Sequence, residues 1–168
     1  MAENNNRPVI KIPLSFLEKT LEWISSGVIL YVFYMTLNSW ADLPNRIPTH
    51  YGFSGQADAW GSKGTLLALP VVMVVFYVLL GVLSRFPHVF NYPVPITVEN
   101  AGTQYQNART MLSWLKVEVL GIFAYLEWCI IETALRKTQD LGWLFLPVSL
   151  IAVFGTMGYY MIRMFKNR

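Results

Sequence analysis

Leu43–Lys63 reads LPNRIPTHYGFSGQADAWGSK, with two prolines, three glycines and the first histidine of the chain inside one short polar stretch. Upstream, Ile24–Ala41 contains no charged residue, and downstream Gly64–Ser84 contains none either. Each run is long enough to cross a hydrocarbon layer of about 30 Å as a helix. The stretch is therefore the connection between two membrane helices.

Composition agrees. Of 168 residues, 54% are apolar and only 14% charged, whereas a soluble domain carries roughly a quarter charged residues. A formal charge of +3 could suit a nucleic-acid partner, but the basic residues are dispersed rather than gathered on one face, so no nucleic acid is expected. Cys129 is the single cysteine; it excludes an intrachain disulfide or a thiolate metal cage and reads as a small packing residue. Glu18 and Glu22 lie among the N-terminal basic residues, and no small-residue cleavage pattern follows the first apolar run. That run is expected to be kept as an anchor rather than removed as a signal.

Outward from the central stretch, Ser15 and Glu18 have the spacing of a capping box, which starts a first helix at about 16–41. Ser62 is placed to cap a second, at about 63–84. Pro87, Pro93 and Pro95 forbid a regular helix where they fall. Thr97 is placed to cap the third helix, with Glu99 in its first turn. With no proline until Pro147, a cytoplasmic extension runs into a crossing at about Thr110–Thr133, the whole helix covering about 98–135. A fourth uncharged run gives a helix at about 141–164, with Gly155 and Gly158 as small packing faces. The expectation is a single all-α membrane domain over 1–168, an integral four-helix bundle with a structured extracytoplasmic loop between its first two helices.

Orientation follows from the basic flanks. Arg7, Lys11, Lys19, Arg85, Arg109, Arg163, Lys166 and Arg168 fall on the side of the termini, against Arg46, Lys63, Arg136 and Lys137 on the other. Both termini are then cytoplasmic and Leu43–Lys63 faces outward. Trp40, Trp60 and Trp143 belong to the outer interface, and Trp23 and Trp114 to the inner one.

Within the stretch, Pro44 and Pro48 stiffen the approach to His50, while Gly52, Gly55 and Gly61 permit positive φ and tight turns. A mere tether needs no such specification; a compact cap does. Its informative side chains are His50, Tyr51, Asp58, Trp60 and Lys63, candidates for binding a ligand or partner. His50 and Asp58 could tune a proton acceptor, supply two metal ligands, or brace loop amides. Two ligands do not make a metal site, so no metal is assigned. Lys63 could also snorkel to lipid phosphates.

The third helix is the other candidate. Lys116, Glu118, Glu127 and Glu132 fall in or near its apolar span, where ionised groups are costly and face partners or water. At about 100° per residue Glu127 points away from Glu118 and Glu132, so the carboxylates do not line one pathway. Glu118 and Glu127 are candidates for an intramembrane proton or cation relay, or for carboxyls bonded to groups on other helices such as Thr36, Asn38, Tyr77 or Ser149. His88, Asn91 and Tyr92 could meet a partner or a lipid headgroup, or simply shape a connector. Gln104, Tyr105, Gln106 and Asn107 suit a helix face open to another protein. No nucleophile elbow, HExxH, P-loop or dinucleotide fingerprint is present. The chain is therefore not expected to be an enzyme, and no cofactor is called for.

The pattern LP-x-x-IP-x-HY-x-x-x-G-x-x-D-x-WGSK, at Leu43–Lys63, resembles the signature of a bacterial family of small membrane proteins built on a domain of unknown function. That domain also forms the N-terminal part of SdpI-type immunity and signalling proteins, which protect producers of a peptide toxin. With its flanking helices the resemblance covers about residues 25–80, and FNYPVPIT-x-EN at Phe90–Asn100 is similar to the small stand-alone branch. The longer SdpI-type proteins carry extra helices that this chain lacks, and the family offers no catalytic residues to carry over. The resemblance implies a non-enzymatic protein of the bacterial cytoplasmic membrane whose outer loop recognises a peptide, lipid or protein partner. A small proton- or cation-coupled transporter using the third helix and an accessory subunit of a membrane complex are the alternatives.

Overall fold

Ser15 opens the first helix as its spacing to Glu18 requires. In the computed structural model, which describes residues 7–135 and 140–168, the Ser15 hydroxyl accepts from the Glu18 amide and the Glu18 carboxylate accepts from the Ser15 amide. This capping box starts α1, Phe16–Ser39. A turn onto the Ser39 carbonyl closes the helix ahead of Pro44.

The stretch after α1 is not irregular. Arg46–Tyr51 (β1) and Ala57–Ser62 (β2) pair antiparallel, Arg46 opposite Ser62 and Tyr51 opposite Ala57, with register slips around His50. The all-α expectation is corrected by this two-stranded sheet. Its strands escape sequence detection because Pro48 interrupts β1 and ADAWGS shows no apolar alternation.

Ser62 caps the following turn, accepting from the Gly64 amide at 3.3 Å. The segment Lys63–Leu67 is a 3-10 helix that leads into α2, Ala68–Leu83, with Pro70 in the first turn, where its missing amide costs nothing. The Pro-rich connector holds one short 3-10 turn, Pro87–Val89. The long helix α3, Ala101–Ala134, starts later than the 98 expected, because Thr97 and Asn100 first close a reciprocal side-chain-to-amide turn at 2.9 and 3.3 Å. Last comes α4, Phe145–Lys166, which starts four residues after the expected 141. Leu141 instead donates its amide to Gly55 of the hairpin at 2.8 Å. Arg136 and Lys137, part of the charge count, lie outside the described residues.

Among the described residues three segments are apolar and long enough to cross a membrane: Phe16–Ser39, Lys63–Leu83 and Phe145–Lys166. The central element is α3, which packs against α1, α2, α4 and β1. Val32, Met73 and Leu120 join α1, α2 and α3 midway along the helices. Met35, Leu43, Ile47, Leu66, Ile131 and Ala134 form a second apolar cluster that seats the hairpin on the ends of α1 and α3.

Candidate functional site

The hairpin is fixed from beneath. Ile47 is fully buried in the second cluster and Pro48 beside it is also buried. Tyr51 donates its hydroxyl to Thr133 Oγ1 on α3 at 3.2 Å. Burial raises the Tyr51 phenol above its ordinary value, against the smaller opposing pull of the Thr133 bond, so the group stays a neutral donor in neutral solution.

Three glycines make the tight geometry possible, each differently. Gly55 alone of them has positive φ, at 80°, and it lies where the backbone of Leu141 and Gly142 approaches. A Cβ at Gly52 would stand 2.9 Å from Asp58 Oδ2, and one at Gly61 would stand 2.8 Å from the Thr49 methyl. Of the three, Gly55 alone uses the positive φ that glycine permits; Gly52 and Gly61 make room for neighbours rather than turn the chain.

Above this base the hairpin presents its chemistry outward. His50 Nδ1 and Asp58 Oδ1 are 2.5 Å apart, with 68% and 52% of their side chains exposed. When Nδ1 donates to Asp58, the neutral ring keeps Nε2 as its acceptor on a side chain that is mostly exposed. Phe53 stands wholly exposed at the turn, and the Trp60 side chain is partly exposed. Trp60 also borders a cavity of about 510 Å³ shared with Asp42, Arg46 and Thr133. Lys63 is turned inward: its ammonium reaches the Trp40 and Leu43 carbonyls at 3.4 and 3.5 Å and lies 5.1 Å from the Trp40 ring centre. There it balances the negative end of α1. Among the described residues no group of three or more His, Cys, Asp or Glu is placed to hold a metal.

Residues 27–74 match a domain of unknown function, DUF1648. The DUF1648 segment covers the second half of α1, the whole hairpin and the first half of α2, so the matched unit is the hairpin with the adjoining halves of its two helices. An uncharacterized protein of Archaeoglobus fulgidus is 27% identical over 89 residues, covering 48% of this chain and 49% of the relative. The chain thus spans about half the length of that relative. No solved structure matches.

Outside the DUF1648 segment, the structure does not bring Glu118 and Glu127 together. Glu127 is fully buried and accepts from Thr36 of α1 at 2.7 Å, while Glu118 accepts from Thr156 of α4 at 2.5 Å. They belong to opposite interfaces of α3. Among the described residues each keeps one buried oxygen without a hydrogen-bond partner.

Sequence reasoning missed a layer of paired charges at the other end of the molecule. Arg109, nearly buried, forks onto the Glu18 carboxylate at 2.9 and 3.0 Å and also donates to the Ile12 and Pro13 carbonyls. Lys116 pairs with Glu22 and lies 4.7 Å from the Tyr77 ring centre. The signal was present. Glu18 and Glu22 are four apart on α1, and Arg109 and Lys116 seven apart on α3, each pair on one helix face. Nor do Gln104, Tyr105 and Asn107 form an open face, since all three are buried. Gln104 donates to the Met164 and Asn167 carbonyls at 2.9 Å each, closing the end of α4, and Tyr105 donates to Pro8 at 3.1 Å.

Proposed function

We propose that this is a non-enzymatic, four-crossing protein of the bacterial cytoplasmic membrane, related to the SdpI-type proteins, whose outward hairpin recognises a peptide, lipid or membrane-protein partner. The observation that carries the recognition reading is the contrast within the hairpin. Its inner side is anchored through Ile47, Tyr51 and the Gly55 carbonyl, while His50, Phe53, Asp58 and Trp60 stand exposed on a pre-ordered frame. An ordered surface binds without the entropy cost of arranging a loose loop.

A fourth crossing, by α3, is supported by its spacing. From Arg109, bound to the Glu18 layer, to Thr133, bound to the hairpin, is 24 residues, or ~36 Å of helix, close to the thickness of a hydrocarbon layer. Hydropathy does not favour this helix because of Lys116, Glu118 and Glu127, yet each of these meets a polar partner on α1 or α4. That is how charged residues are tolerated in such helices. The charge bias then favours cytoplasmic termini.

Photo-crosslinking from Phe53 in native membranes tests the recognition reading. A discrete crosslinked partner that disappears in His50→Ala and Asp58→Ala, with folding retained, is the expected result. Undiminished capture by both variants would contradict it. The unpartnered oxygens of Glu118 and Glu127 favour a second reading, proton or cation movement through α3. Proton flux into liposomes that is unaltered by Glu118→Gln and Glu127→Gln removes it.

A further inference from the structure

At the end of the molecule where α1 begins and α2 ends, a cleft of about 810 Å³ opens between these two helices and α3, within the roughly 300–1,000 Å³ typical of small-molecule sites. Its floor is electrically settled: Glu18 and Glu22, the acidic groups that line it, are paired with Arg109 and Lys116. Its wall includes the apolar side chains of Val78, Val82 and Leu112, beside Gly81. Two further cations, Lys11 and Arg85, line the same cleft from exposed positions, and neither side chain has a partner among the described residues. His88 also lines it. The site therefore combines an apolar wall on a membrane-type helix, a neutralised floor and two uncommitted positive charges.

We propose that this cleft binds one anionic phospholipid, its phosphate held by Lys11 and Arg85 and an acyl chain laid along Val78, Val82 and Leu112. Charge selects the occupant. A zwitterionic lipid would bring an ammonium group to a site whose unpaired charges are positive, whereas a net negative headgroup balances them. The apolar wall requires a chain as well as a phosphate, so inorganic phosphate alone is a poor occupant.

The full-length protein, reconstituted in nanodiscs of equal phosphatidylglycerol and phosphatidylcholine with identical chains and examined by native mass spectrometry, tests this. One retained phosphatidylglycerol is expected, favoured at least about tenfold, since a cation near a headgroup contributes about 1 kcal/mol. Lys11→Gln with Arg85→Gln, both at exposed sites, brings the preference near unity. Lys166→Gln with Arg168→Gln leaves it unchanged. Gly81→Phe, at a cleft-lining position where an added Cβ has no neighbour within 4 Å, reduces retention of both lipids. Equal retention of the two lipids by the native protein would overturn the assignment. So would an undiminished preference without Lys11 and Arg85, an equal loss on changing the C-terminal cations, full retention in Gly81→Phe, or displacement of the lipid by inorganic phosphate.

Discussion

Glu18 performs two tasks with one carboxylate: it completes the capping box of α1 and receives the Arg109 fork from α3. Both partners are almost fully buried, so removing one strands the other in a poorly solvating interior. Arg109→Ala should therefore destabilise the protein by about 3–5 kcal/mol, measured as unfolding in detergent. Glu18→Leu combined with Arg109→Met should cost less than Arg109→Ala alone, because no charge is left unpaired. A loss below about 0.5 kcal/mol for Arg109→Ala would place the pair on the solvent side of the balance. At the Thr36–Glu127 contact the magnitudes are smaller. Hydrogen bonds between membrane helices couple by roughly 0.6 kcal/mol and at most about 1.7, and a double-mutant cycle of Thr36→Val with Glu127→Leu, each of which removes the bond, should fall in that range.

At the scale of elements, the hairpin depends on glycines that act by space and by conformation. Gly61→Ala would force a methyl against Thr49, and should loosen the hairpin amides in hydrogen exchange. Thr49→Ser removes the offending methyl and should restore protection; failure of that rescue would mean that the contact does not set the strand pairing. Gly55→Ala has no such rescue, since its strain lies in a φ of 80°, worth ~1–2 kcal/mol. The helices were legible because uncharged runs and the Ser15–Glu18 box are local signals. The strands were not, because β1 and β2 are specified by what lies beneath them, Ile47 in the apolar cluster and Tyr51 on Thr133, and by a strand partner several residues away. His50 and Asp58 could be picked out as a pair from composition, but the exposed Phe53 was not, since nothing in the residue itself announces the tip of a turn. The Arg109 and Lys116 pairs were hidden for a different reason: each spans more than ninety positions, and only matching the charged faces of α1 and α3 would have joined them.

Across the whole molecule, α3 ties the two polar ends together. Arg109 holds the N-terminal approach and Thr133 holds the hairpin, with apolar packing from Val32, Met73 and Leu120 between. The recognition reading requires that the hairpin and both termini lie on opposite sides of the membrane, which in turn requires α3 to cross. The C-terminus decides this, because it changes sides if α3 does not cross. In a Cys129→Ser background, Phe53→Cys and Arg168→Cys, tested separately, report on the two ends with a membrane-impermeant thiol reagent. Labelling of Phe53→Cys in intact cells, and of Arg168→Cys only after permeabilisation, is the predicted result; equal labelling of both in intact cells would contradict it.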